Sequence, residues 1–186
     1  MQSIAIVGLA PSRERAPCAD KDTQIWTIGD GVLYLPRTDA VFEMHTPEAV
    51  RSAGGLVGCN GWRKERYGEY VDWLSANKEI PVWAQERFGQ WPMSLAYPSE
   101  LIERFNGYFT STVCYMLALA IDHKPRQISL YGVECRGQLD YTKLRYAIEF
   151  YCGVAVGRGI NLVIDKDSLL LRADGLYGFE GTQKAA

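Results

Sequence analysis

Three short segments place glycine, hydroxyl and carboxylate residues where a nucleotide could be held. Gly8-Leu9-Ala10-Pro11-Ser12 follows directly on the apolar run Ser3 to Val7. Its glycine permits a tight turn, and the Ser12 hydroxyl can donate to a phosphate or cap a following helix. The segment has neither the spaced glycines of a dinucleotide fingerprint nor the Gly-Lys-Ser/Thr of a P-loop, so a plain strand-to-helix turn is the alternative. Phe109-Thr110-Ser111-Thr112 opens a stretch that is apolar nearly all round. Three hydroxyls beside a helix N-terminus, which bears roughly half a positive charge, would cradle an anion without a lysine, or would serve as caps alone. Leu130-Tyr131-Gly132-Val133-Glu134 sends Glu134 out of a strand end, and Asp30 follows Thr27-Ile28-Gly29 in the same way. Such acids hold ribose hydroxyls, or are solvated loop residues.

Proton transfer needs a titratable group near those segments. His45, in Val41-Phe42-Glu43-Met44-His45, lies just past a strand and is the one histidine placed to act as a general base, with a packed or surface imidazole as the alternative. His123 stands at the far end of the apolar helix, next to Lys124-Pro125, where a cation complements the helix C-terminus. Two histidines without a cysteine pair argue against a dedicated zinc site. Arg145 and Glu149 are four apart and form a surface pair, unless their face turns to the pocket, where Arg145 would hold a pyrophosphate. No Gly-x-Ser-x-Gly elbow and no cysteine in a nucleophile setting supports covalent hydrolysis. Phosphoryl or glycosyl transfer asks mainly for positioning and charge stabilisation, which Thr110, Ser111, Thr112 and a Mg²⁺ ion held by Glu134 could supply.

The elements that must position these groups follow from periodicity. Ser3 to Val7, Ile25 to Ile28, Ala40 to Glu43, Ile80 to Ala84, Ile128 to Tyr131 and Leu162 to Ile164 are short apolar runs, several without polar alternation, as in strands covered on both faces. Helical spacing runs through Trp62 to Asn77, Thr110 to His123 and Tyr141 to Val156, the last ended by Gly157 and Gly159. Strands separated by helices of this length give right-handed βαβ units. The expectation is one Rossmann-like three-layer α/β/α sandwich with a mostly parallel sheet over residues 1–186. Gly54 to Gly61 and Arg87 to Pro98 read as insertions or lids.

Composition sets the outer limits. The 186 residues, 47% hydrophobic and 23% charged, suffice for a packed core and exclude a disordered or fibrous chain. Twenty Lys+Arg against 22 Asp+Glu give a formal charge of −2, so no general positive field favours nucleic acid or an anionic membrane. Trp62, Arg63, Lys64, Arg66 and Tyr67 form the one local basic and aromatic cluster suited to single-strand stacking. The opening residues read as a strand and not as a signal peptide, and the longest apolar run, Val113 to Ile121, is about half a bilayer span. Five scattered cysteines point to a reducing cytoplasm. A small-molecule nucleotide is the expected partner, and a homo-oligomer is left open.

The segments also resemble a family. Gly8-Leu9-Ala10-Pro11-Ser12 resembles the GxGPS opening of the bacterial sialyltransferases of the Campylobacter type and of the MptE-like (6-hydroxymethylpterin diphosphokinase-like) proteins. Thr110-Ser111-Thr112-Val113 resembles their T-S-G-V helix start, Ile128 to Glu134 their I-x-L-x-G-I-D, and Asp165 to Leu170 their P-N-S-L-L segment near the base, in the same order. The resemblance implies a Rossmann-like fold that binds a nucleotide or nucleotide-linked donor, in the manner of compact phage or prophage members. Gly8, Ser12, Thr110, Ser111, Thr112 and Arg145 would meet the phosphate, and Asp30, Gly132, Glu134 and Ser168 the ribose or base. Ala10 and Thr112 replace family glycines, and Tyr146 to Gly153 lacks the histidine that serves as base in those sialyltransferases. Sialyl transfer itself is therefore not expected. The expectation is a transferase acting on a nucleotide-linked donor; a protein that binds or sequesters a nucleotide-derived molecule without catalysis is the alternative.

Overall fold

The computed structural model describes residues 2–52, 66–136, 139–173, 175, 177 and 178. Seven strands form one sheet: β1 (Ser3–Val7), β2 (Thr23–Ile28), β3 (Ala40–Phe42), β4 (Val82–Ala84), β5 (Ser94–Ala96), β6 (Gln127–Tyr131) and β7 (Asn161–Ile164). The helices are α1 (Pro47–Ser52), α2 (Tyr67–Ala76), α3 (Ser99–Arg104), α4 (Thr112–His123) and α5 (Leu139–Gly157), with 3-10 turns at Pro11–Arg15 and Gly29–Leu33. The strand order is β5-β4-β3-β2-β1-β6-β7, and every pairing is parallel. The mostly parallel sheet expected from the sequence is thus wholly parallel and belongs to an α/β fold.

Alternate residues of the strands feed opposite layers. Ile4, Ile6, Trp26, Phe42, Ile128 and Leu130 pack under α3, α4 and α5, while Val41 and Val82 pack with Val50, Tyr70 and Leu74 of α1 and α2. The connections from β1 out to β5 run over that second face. The connections through α3 and α4 to β6, and through α5 to β7, run over the first, as right-handed crossovers require. The reversal of direction falls between β1 and β6, which makes their carboxyl ends the topological switch point. Eight of the twelve residues of α4 are buried, the reason that Val113 to Ile121 is apolar nearly all round.

Two differences from the sequence reading have local causes. The segment Arg87 to Pro98 is no lid: it contains the edge strand β5, with Trp91 buried and the Ser94 hydroxyl accepting from the Phe88 N–H and donating to the Trp91 carbonyl. A three-residue strand between Pro92 and Pro98 is too short to show alternation. Of the helix over Trp62 to Asn77, the described part begins at Arg66, and the loop Gly54 to Gly61 together with Trp62, Arg63 and Lys64 lies outside the described residues. Gly159, at φ +77°, takes the left-handed conformation that ends α5.

The 3-10 turn after β1 is clamped to the far side of β6. Arg15 donates from Nε to Asp165 Oδ2 at 2.8 Å and from Nη2 to Asp165 Oδ1 at 2.6 Å, and it also reaches Asp167. The guanidinium hydrogen bond holds the Asp165 carboxyl below the usual carboxylate range. A depressed folded-state pKa stabilises the fold above the unfolded value of about 3.9, and that contribution is lost as pH falls through the folded value. Asp165→Asn is therefore expected to lower stability at pH 7 by about 1–2 kcal/mol, reduced by the exposure of Arg15. Melts between pH 7 and pH 2.5 check this: the gap between variant and wild type should close only in the acid limb.

Candidate functional site

Parallel register brings four strand ends to one edge. Val7 lies opposite Thr27 and Tyr131, and Ile28 opposite Phe42, so the residues that follow emerge together: Gly8, Gly29-Asp30, Glu43 to His45 and Gly132 to Glu134. α4 returns to the sheet with its N-terminus over the same edge. A cleft of about 800 Å³ opens there, and Gly8, Asp30, His45, Thr110, Ser111, Thr112, Gly132 and Glu134 all line it. The turn after β1 and the three hydroxyls thus share one crevice.

Its floor is bare backbone. Gly132 has φ +65°, and a Cβ on it would lie 2.6 Å from the Gly8 carbonyl carbon; a Cβ on Gly8 would likewise overlap the Gly132 carbonyl. The Gly8 N–H donates to the Tyr131 carbonyl at 2.8 Å, and the Ala10 N–H to the Gly132 carbonyl at 3.1 Å. Both loops are fixed and present main chain to the cleft. On one wall stands the N-terminus of α4. Ser111 is the N-cap residue, but it and its neighbours do not cap as the sequence suggests: the Ser111 and Thr110 hydroxyls pair with Cys114 Sγ at 3.4 and 3.8 Å, and no side chain bonds the first-turn amides. The Cys114 N–H donates to the Ser111 carbonyl at 3.0 Å, while the Thr112 and Val113 amides, at the positive end of the helix dipole, are left for the cleft that both residues line.

Past the end of β3, Glu43 and His45 form a pair that also lines the cleft. Glu43 is 6% exposed, and its Oε1 lies 2.6 Å from His45 Nδ1 while accepting the His45 backbone N–H at 3.2 Å. The His45 side chain is 43% exposed. The mouth is cationic and aromatic: the guanidinium groups of Arg13 and Arg66 lie 5.3 and 5.1 Å from the Tyr34 ring centroid, within cation–π range. Arg136 also lines the cleft and donates to the Asp167 carbonyl at 2.7 Å. Burial pushes the Cys135 thiol, in the same loop, up to about 11, so it stays protonated at neutral pH and is no nucleophile.

Three expected site residues do not reach the cleft. Ser12 is buried, its hydroxyl accepting the Gly132 N–H at 2.8 Å, and its own N–H donates to Glu134 Oε1 at 3.0 Å. It staples the two glycine loops together. Ser168 is buried as well and donates to the Val133 carbonyl at 2.6 Å. Arg145 keeps its partner Glu149 at 2.7 Å, and Glu149 also accepts the Leu171 N–H at 2.8 Å, which ties α5 to the segment after β7. Among the described residues no three His, Cys, Asp or Glu side chains gather to hold a metal ion, so the Mg²⁺ expected at Glu134 has no assembled ligand set. Sequence reasoning passed over Glu43, Tyr34, Arg13 and Arg136. Glu43, two residues before His45 at a strand end, was the legible one; Arg13 lies in a short 3-10 turn and Arg136 in a loop, where helix and strand periodicity are silent. Arg66 belongs to the cluster suited to single-strand stacking, and here it faces the cleft.

Among the described residues no helix is long and apolar enough to cross a membrane, and Cys18, Cys114, Cys135 and Cys152 are free thiols. No family model and no curated protein matches the chain. Among solved structures it is similar to the sialyltransferase CstII from Campylobacter jejuni in complex with cytidine-5'-monophosphate, at TM-score 0.55 and 17% identity over 91% of this chain and 82% of that one. It is similar to CstII with CMP-3FNeuAc, at TM-score 0.55 and 15% identity over 88% and 80%. An alpha-2,3-sialyltransferase from Campylobacter jejuni in apo form matches at TM-score 0.56 and 16% identity over 91% and 77%. At these identities the likeness is one of fold: the chain has the α/β fold of these sialyltransferases.

Proposed function

We propose that the cleft binds a nucleotide-linked donor and that the protein is a transferase moving a glycosyl or pyrophosphoryl group from it. The observation that carries this reading is the meeting, in one cleft, of the Thr112 and Val113 amides at the start of α4, the bare main chain of Gly8 and Gly132, and a carboxylate-held histidine. The donor phosphate sits at the first turn of α4, against the Thr110, Ser111 and Thr112 region and the backbone at Gly8. Asp30, Glu134 and the main chain at Gly132 take the ribose or base, and His45 accepts the proton of the attacking group. Solved neighbours of the same fold hold cytidine-5'-monophosphate and CMP-3FNeuAc, which supports a nucleotide occupant. Whether the moving group is a sugar or a pyrophosphate is read from the products.

A thermal-shift screen against nucleoside mono- and diphosphates and nucleotide sugars tests the binding half. A nucleotide at 100 times its Kd adds about 2.7 kcal/mol, or roughly 8 °C for a chain of this size. If no nucleotide raises Tm, the reading fails. Chromatography of the donor after incubation separates the transferase from a protein that only sequesters the ligand, because the latter returns it unchanged.

A further inference from the structure

His45 is held through a chain of hydrogen bonds that reaches the opposite layer of the fold. Tyr70 of α2 is 2% exposed, and its hydroxyl donates to Glu43 Oε2 at 3.0 Å. The other oxygen of that carboxylate, Oε1, lies 2.6 Å from His45 Nδ1 and also accepts the His45 N–H. Tyr70 is itself fixed: its ring stacks on Trp73, with centroids 6.2 Å apart and planes 12° from parallel, and it packs with Val41, Val50 and Leu74. Both oxygens of this buried carboxylate are met by donors, Oε2 by the Tyr70 hydroxyl and Oε1 by the His45 backbone N–H. With both oxygens committed, the carboxylate cannot rotate.

We infer that Glu43 and Tyr70 are positioning residues that fix the orientation and tautomer of His45, with Nδ1 bearing the proton toward Glu43. The inference rests on the reading of His45 as the base of the proposed transfer. Proton exchange with a substrate then runs through Nε2, which must be the unprotonated nitrogen for His45 to accept a proton. Tyr70 acts by holding Oε2, so that Oε1 stays on His45. A carboxylate presents two equivalent acceptors, whereas an amide in its place presents one acceptor and one donor. A glutamine at position 43 would keep its carbonyl where Oε1 lies, because the His45 backbone N–H can only donate, and would turn its NH₂ to the Tyr70 hydroxyl, which accepts as well as donates. The proton then stays on Nδ1, whereas a leucine at position 43 offers no acceptor and releases it.

The chain contains two histidines, so imidazole ¹⁵N NMR on histidine-labelled protein reads the tautomer directly, with His45→Ala assigning the signals. In the wild type at pH 8, His45 should be protonated at Nδ1. Glu43→Gln should keep the proton on Nδ1, Glu43→Leu should release it to Nε2, and Tyr70→Phe should give a mixture, because the carboxylate is then able to turn. Unchanged His45 signals in Glu43→Leu would overturn the role of Glu43, and a Tyr70→Phe variant indistinguishable from the wild type would overturn that of Tyr70. Thermal melts confirm folding, and the isosteric amide keeps the site filled. These signals need no ligand. Calorimetric titration with cytidine-5'-monophosphate, run alongside, separates the two claims: failure of the wild type to bind it removes the nucleotide reading, while the tautomer result still decides the relay. If it binds, turnover of a CMP-linked sugar, where the wild type shows it, should fall about 100-fold in kcat in Glu43→Leu.

Discussion

His45→Ala is expected to bind its nucleotide-linked donor with nearly wild-type affinity and to turn it over about 10³-fold more slowly, the range of a positioned general base. Binding survives because the α4 amides and the Gly8 and Gly132 main chain, which would hold the phosphate, belong to other elements of the cleft than His45. The loss appears in kcat and not in KM, the pattern of an interaction made only in the transition state. Removing the imidazole also leaves the buried Glu43 carboxylate without its 2.6 Å partner, at a cost of about 1–3 kcal/mol of stability. Activity is therefore compared well below the melting point of the variant, with His45→Asn as a control that returns a hydrogen-bond donor to Glu43. Equal turnover in wild type and both variants would remove His45 from the chemistry.

The second large effect is structural. Gly132→Ala places a Cβ 2.6 Å from the Gly8 carbonyl carbon in a backbone with φ +65°. The left-handed conformation costs a non-glycine residue about 1–2 kcal/mol, and overpacking against a fixed carbonyl adds about 1–3. A loss near 3 kcal/mol corresponds to a Tm lower by about 10 °C. The obstructing atoms are main chain of Gly8, directly after the interior strand β1, so no side chain can swing away to relieve the clash. The same methyl would widen the gap between the loops after β1 and β6 and disturb the Ser12 staple, so nucleotide binding should weaken further than stability alone requires. Calorimetry of folding and of ligand binding on the same sample checks both. A variant with wild-type Tm would show that the two loops are free to separate.

Much of this arrangement was legible from residue types. Apolar runs without alternation marked β1, β2, β6 and the buried helix α4, because strands and helices covered on all sides leave few polar positions. Gly8 and Gly132 stood out as strand-end glycines, and the rule for parallel sheets put them on the ligand edge. Other features were hidden for physical reasons. β5 is three residues long, and its edge position is set by contacts of Trp91 and Ser94 that no local pattern records. Ser12 and Ser168 look like ligand-facing hydroxyls in sequence, yet each satisfies a buried main-chain group, since a loop that crosses the sheet edge must pair its own amides before it can serve a ligand. Glu43 read as the last residue of a strand, and its partnership with His45 and Tyr70 depends on the lateral placement of α2, which is a tertiary fact.

Donor binding requires above all that the first turn of α4 act as an anion site facing the two glycine loops. A co-crystal structure with cytidine-5'-monophosphate addresses it most directly. The expected result is a phosphate within about 3 Å of the α4 first-turn amides, with the nucleoside lying toward Gly132 and Glu134. A phosphate bound instead at the Arg13 and Arg66 mouth, with the α4 amides left to water, would contradict it.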